Sequence, residues 1–294
     1  MATSKSKYHI RSNSFPTRPH PLFNQCDEQL CRLVASEASS SSTISSKLSG
    51  LEDLHGCVDK LLLLPLTQQA LVRGRQEKWV EQVLDGSLRV LDVCSSAKDS
   101  VIHTKECARE IQSIMRRRRG GEDELACEVK KYSASRKVVK KAIQKALGNL
   151  KGVETKSLAS LADHDNETKA LFEVLREVEA VTLSVFESLL CFVSGPKAQS
   201  KLAGWSLVSK LVHHKKVGCD KEETESNEFA KVDAALLYLM AHDTIKSDQT
   251  KHVERVRGEL QNLELCVQDF EERLERLFRR LIRTRVAILN IINN

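Results

Sequence analysis

The chain has 294 residues, 41% of them apolar, and its 46 Lys and Arg outweigh 40 Asp and Glu to give a formal charge of +6. Its 8 Phe, 3 Tyr and 2 Trp are too few for a β-sandwich or barrel, and 5 prolines are too few for a Pro-rich linker protein. The prevalence of Leu, Glu, Lys, Arg, Ala and Val suits helices. The 9 cysteines (Cys26, Cys31, Cys57, Cys94, Cys107, Cys127, Cys191, Cys219 and Cys266) are scattered and never spaced C-x-x-C. They read as reduced thiols of an intracellular protein, not as a disulfide framework or a metal site.

Residues 1–47 differ from the rest. They hold Lys5, Lys7, Arg11 and Arg18, no acid before Asp27, three prolines (Pro16, Pro19, Pro21) and the run Ser39 to Ser42. Too little apolar surface is present to offset the entropy of ordering, which predicts a disordered basic Ser-rich tail with a short helix over Asp27–Glu37. No apolar core follows the basic start, so no secretory signal is read. The tail could serve as a plastid transit peptide, though family-like residues begin within it at Tyr8.

Helical periodicity begins at Leu51, with Leu54, Val58, Leu61 and Leu62 on one face and Pro65 as the stop. A long segment over 67–116 follows, with Trp79, Val83, Val101, Ala108 and Ile111 among its core positions and a break or kink expected at Gly86. Gly120-Gly121 ends it. The next helix covers Glu122 to Leu150, burying Leu125, Val129, Tyr132, Val139, Ile143 and Leu147. Another spans Asn166–Val193 and stops at Gly195-Pro196. Its most apolar run, Val181–Val193, is too short to cross a bilayer and carries Glu187. A short helix is predicted over Leu202–Val212, an acidic loop over 218–228, and a helix over 230–245.

The last forty residues carry the clearest pattern. Val253, Val256, Leu260, Leu263, Val267, Phe270, Leu274, Leu277, Leu281, Ile288 and Ile291 recur at steps of three and four, interrupted by Thr284. No segment alternates as a strand. The reading is all-α: an elongated antiparallel helical bundle over 48–294, with a long C-terminal heptad-patterned helix and a disordered N-terminal tail over 1–47.

Placing Val253 at heptad position a makes Glu259 face Glu264, and Arg280 face Arg285, across a parallel in-register homodimer. Like charges disfavour that dimer. Phe278, Ile292, Cys266 and Ala287 widen the apolar face beyond a two-helix seam, so the helix is expected to pack against others of its own chain.

Several blocks carry a resemblance. They are Tyr8-His9-Ile10-Arg11-Ser12-Asn13-Ser14-Phe15-Pro16, Leu51-Glu52-Asp53-Leu54-His55 leading into Leu62-Leu63-Leu64-Pro65-Leu66, Leu84-Asp85-Gly86-Ser87-Leu88, and Leu277 to Val286. In these the chain resembles an uncharacterised plant family catalogued as domain of unknown function 241. The resemblance implies a plant origin and an association with root and shoot development. It implies no activity, cofactor or catalytic residue.

Two features bear on function. Arg11, Ser14 and Pro16 fit R-S-x-S-x-P, a pattern read by 14-3-3 proteins once the central serine is phosphorylated. Arg11 offers a basophilic kinase a charge, and the phosphate adds about −1.5 to −2 charges for an arginine cluster to grip. Short matches of this kind also arise by chance in Ser-rich tails.

The second feature is a basic block between Arg116 and Lys151. It holds Arg116, Arg117, Arg118, Arg119, Lys130, Lys131, Arg136, Lys137, Lys140, Lys141, Lys145 and Lys151, against Glu122, Asp123, Glu124 and Glu128. Such a stretch can lie on an anionic membrane surface, act as a nuclear-import signal, or simply form a solvated face. Nucleic acid is disfavoured, because Tyr132 is the block's lone aromatic and no DNA-binding motif accompanies it.

Phosphate loops, dinucleotide fingerprints, zinc-protease motifs and nucleophile elbows are absent, so neither a cofactor nor a catalytic function is read. The sequence reading is a non-enzymatic cytoplasmic interaction scaffold with protein partners still to be identified. Nuclear and membrane-peripheral placements stay open, and a peripheral membrane adaptor acting through residues 116–145 is the alternative.

Overall fold

The structure is a computed structural model that describes residues 20–38, 43–117, 122–151, 165–195, 227–241 and 246–293. Among these it has eight helices and no strand: α1 (Pro21–Ala38), α2 (Ile44–Leu62), α3 (Pro65–Arg73), α4 (Lys78–Arg116), α5 (Glu122–Lys151), α6 (Asn166–Ser194), α7 (Glu228–Ala241) and α8 (Lys246–Asn293). The all-α bundle with a long final helix is therefore what the chain forms. The expected helix over Leu202–Val212 and most of the expected loop over 218–228 lie outside the described residues.

Local chemistry sets the boundaries. The Thr43 hydroxyl accepts the Ser46 N–H at 3.2 Å and opens α2. Asp165 accepts the Thr168 N–H at 2.7 Å and opens α6, and this bond holds the Asp165 carboxyl below the usual carboxylate range. α6 ends at Gly195, whose φ of +86° is open to glycine and strained for other residues. The break expected at Gly86 falls elsewhere. The 39 residues of α4 run unbroken through Gly86, and the chain turns at Gly74–Glu77 instead. Gly86 marks a close approach, since a Cβ there would collide with the Glu179 carboxylate of α6. Gly74 does the same for the Trp79 indole, which is buried edge-on to Phe172 at 6.2 Å.

A ring of α4, α8, α2 and α6 forms the centre. α4 and α8 run antiparallel, with Lys98 to Glu275 at 2.5 Å and Arg109 to Glu264 at 3.1 Å. α2 and α8 run parallel: Ser45 donates to Asp269 at 2.6 Å, Arg276 meets Glu52 at 3.0 Å and Arg280 meets Asp59 at 3.2 Å. α2 and α6 are antiparallel through His55 and Thr182, and α6 lies parallel to α4 through Trp79–Phe172 and Arg89–Glu179. The α8 stripe fills the middle, with Val256, Leu260, Leu263, Val267, Phe270, Leu274 and Leu277 at most 2% exposed. Its partners are thus helices of the same chain.

The folded part also reaches further back than residue 48. α1 places Phe23, Cys26, Leu30 and Leu33 in the core, at i, i+3, i+7 and i+10, so residues 21–38 belong to the bundle and not to the tail. Glu37 fastens the end of α1, paired with Lys47 at 3.1 Å and accepting from Ser184 and Ser188. The helix expected over Asp27–Glu37 is thus present, and it begins earlier, at Pro21. Residues 1–19 lie outside the described set.

Two polar groups sit where an apolar residue would be expected. Thr284, the interruption in the stripe, is buried and donates its one hydroxyl hydrogen to Asp59 Oδ1 at 2.7 Å, the shorter of two contacts, the other being Arg280 O of its own helix at 3.1 Å. It therefore locks the register of α8 against α2. Thr284→Val, which would complete the stripe, should lower stability by about 1 kcal/mol because it strands an Asp59 oxygen. A urea midpoint equal to or above wild type would contradict this.

His55 is buried, and its Nε2 lies 3.0 Å from Thr182 Oγ1. The Thr182 hydroxyl hydrogen is already given to Val178 O at 2.6 Å, so His55 Nε2–H must be the donor, while the buried Nδ1 has no partner for a second proton. Burial, and secondarily the Arg280 charge, lower its pKa from 6.5 to about 4. The unfolded chain therefore takes up a proton between those values that the folded chain refuses. The His55 contribution is full above about pH 7, falls by on the order of 3 kcal/mol as pH drops towards 4, and is flat below. Urea unfolding of wild type and His55→Gln should show a steeper fall in wild type between about pH 6.5 and 4, and equal slopes would contradict this.

Candidate anionic-contact surface

α5 folds back along α4 with its apolar side inward. Val129, Tyr132, Val139, Ile143, Leu147 and Leu150 are all buried, and Arg136 occupies a position in the same row. This arginine, counted with the basic block, is a core residue. Its guanidinium meets Asp233 of α7 at 3.1 Å and 3.3 Å and donates to Val193 O at the end of α6, 2.8 Å away.

Asp233 draws in more of the block. Lys140 Nζ lies 2.9 Å from its Oδ2, and the Tyr132 hydroxyl donates to its Oδ1 at 3.0 Å. Burial alone would push the Asp233 carboxyl up, but Arg136 and Lys140 outweigh it and hold it below the usual range. Burial and the neighbouring carboxylate raise the Tyr132 phenol. The Arg136–Asp233 pair thus ties α5, α6 and α7 together, and Asp233 engages Lys140 away from the expected contact surface. The physical reason is helical phase: Lys140 follows Arg136 by one turn on the flank facing α7.

The other expected contact residues sort by position. Lys130, Lys137 and Lys141 are exposed on the outer face of α5. Lys131 is exposed but paired with Glu128 at 3.0 Å. Arg116 and Arg117 are exposed at the end of α4, where positive charge suits the helix dipole, and Arg117 donates to Ser113 at 3.1 Å. Arg118 and Arg119 lie outside the described residues, as do Arg11, Ser14 and Pro16.

Lys145 completes the outer row, exposed one turn beyond Lys141. Its spacing from Lys137 and Lys141 was the available signal. Among the described residues, Lys130, Lys137, Lys141 and Lys145 have no ion pair, and no acid shares their arc between Cys127 and Asn149. From Lys130 to Lys145 the row runs ~22 Å at 1.5 Å per residue. Lysines four residues apart repel by about 0.2–0.5 kcal/mol per pair, a cost that an anion laid along the row would relieve.

The geometry also narrows how α5 could meet a membrane. Its apolar face is spent on the bundle, so it cannot be pushed into lipid as an amphipathic helix must be. Only charge is on offer, with Val138, 64% exposed, as the one large apolar side chain among the lysines. Among the described residues no helix is long and apolar enough to cross a membrane, and no cluster of His, Cys, Asp and Glu has metal-binding geometry.

Compared with known proteins, the chain matches the family model described as Protein BPS1 over residues 47–291. No curated protein and no solved structure matches it. The match agrees with the plant affiliation expected from the motif blocks, but it carries a different description from domain of unknown function 241. It runs from within α2 almost to the end of α8, most of the chain, and the chain accordingly belongs to the plant family described as Protein BPS1.

Proposed function

We propose that this protein acts by contact, as a non-enzymatic helical scaffold of plant development, and that the outer face of α5 is the surface by which it rests on anionic membrane. Membership of the family supports the developmental part of this reading. The observation that carries the membrane contact is the acid-free row Lys130, Lys137, Lys141 and Lys145, standing unpaired on a bundle whose other helices pair many of their charges across their seams. At about 1 kcal/mol per lysine near an anionic surface, the row supplies several kcal/mol, all of it salt-sensitive. The scaffold reading is supported by the interior, where polar groups such as His55, Thr284 and Asp233 are engaged in helix–helix bonds.

A second reading concerns the N-terminal motif. Arg11, Ser14 and Pro16 would form a docking peptide for a 14-3-3-type phosphoserine reader, favoured by the arginine three residues before Ser14.

Co-sedimentation with phosphatidylserine-containing vesicles at low salt tests the first. Wild type should bind, neutral vesicles should not compete, and changing Lys130, Lys137, Lys141 and Lys145 to Gln should weaken binding on the order of a thousandfold without unfolding the helix. No binding by wild type would end the proposal. For the second, kinase-treated wild type should bind a 14-3-3 protein and Ser14→Ala should not; equal binding would remove Ser14 from the site.

A further inference from the structure

At the end of the bundle away from the α4–α5 turn, α1, α3 and α6 enclose an apolar groove of about 190 Å³. Phe23, Leu64, Leu66, Ala70 and Leu171 line it, and Glu167 stands at its polar margin. The volume falls below the roughly 300–1,000 Å³ of small-molecule sites and suits a single large side chain. Its surroundings are unusually apolar for an exposed corner, with Leu63 74% and Leu66 50% exposed.

The chain itself delivers a candidate to this place. His20, the first described residue, lines the same groove and opens α1, its Nδ1 accepting the Leu22 N–H at 3.2 Å and its carbonyl the Phe23 N–H at 3.0 Å. The preceding residues 1–19 therefore leave from the groove's edge. They contain two aromatics, Tyr8 and Phe15, and Phe15 stands five residues before His20. Five residues span at most ~17 Å, so Phe15 is held near the groove at high effective concentration. Pro16 and Pro19 stiffen the intervening stretch and reduce the entropy lost on docking. Charge agrees as well: the segment carries Lys5, Lys7, Arg11 and Arg18 with no acid, and the groove's margin presents Glu167.

We infer that the groove between α1, α3 and α6 is the docking site of the chain's own N-terminal segment, with Phe15 as the inserted anchor. The contact stands whether or not Ser14 is phosphorylated. A reader that grips Ser14 would, however, have to draw the adjacent Phe15 out.

The test uses the full chain with Phe15 replaced by the photo-crosslinker p-benzoylphenylalanine. Irradiation and mass spectrometry should place intramolecular crosslinks on Leu66, Ala70 and Leu171, and Leu66→Asp, at a half-exposed position, should abolish them while helicity is retained. Crosslinks scattered over the surface, formed to a second copy, or indifferent to Leu66→Asp would overturn the inference. Because the crosslinker is bulkier than Phe, tryptic cleavage after Arg11 supplies an independent reading. Phe15→Ala should be cut about fivefold faster than wild type, as the undocked population rises. Equal rates would overturn the inference too.

Discussion

Burial of one face of α8 is the constraint on which the rest of the structure depends. The helix runs 48 residues, and no helix of that length can leave a continuous row of Leu, Val, Ile and Phe in water. Each such side chain contributes about 1.5–3 kcal/mol when buried. Covering the row takes α4 along one side and α2 along the other, and α6 closes the ring between them. Everything else is arranged around this: α1 fills the seam between α2 and α6, α3 covers one end, and α5 and α7 brace the other.

Once the apolar stripes meet, polar contacts decide the register. An apolar row alone tolerates slippage by a turn, because Leu on Leu is much the same one step along. Thr284 on Asp59, His55 on Thr182 and Arg136 on Asp233 have no such tolerance, since a shift leaves a buried polar group without its partner. The three sit in different seams, between α2 and α8, α2 and α6, and α5 and α7. They mark the places where the bundle accepts some desolvation cost for a single arrangement.

The same arrangement separates structural charge from available charge. The basic block between Arg116 and Lys151 looks uniform along the chain, yet helical phase divides it. Arg136 and Lys140 turn towards α7 and are both paired with Asp233, while Lys130, Lys137, Lys141 and Lys145 turn outward. What is left on the outside is a narrow strip of positive charge on a rigid backing, a different object from a basic amphipathic helix free to sink into lipid.

Much of this was legible in the chain. The period of three and four in α8, the prolines and glycines that end helices at Pro65 and Gly195, and the inward row of α5 need only local propensity and pattern, which act over a few residues. The Thr284 gap was visible too, but its meaning was not, because its partner Asp59 lies 225 positions away. The helical core of α1 was legible over Asp27–Glu37 but its packing into the bundle was not, and the turn at Gly74–Glu77 was displaced to Gly86, whose missing side chain answers to Glu179 of another helix. By itself, then, the sequence determined helix content, most helix ends and which face of each helix is apolar, since these follow from spacing along one segment. Only the tertiary structure decided which helices meet, which charges are consumed and which remain on the surface, because those outcomes rest on contacts between residues far apart in the chain.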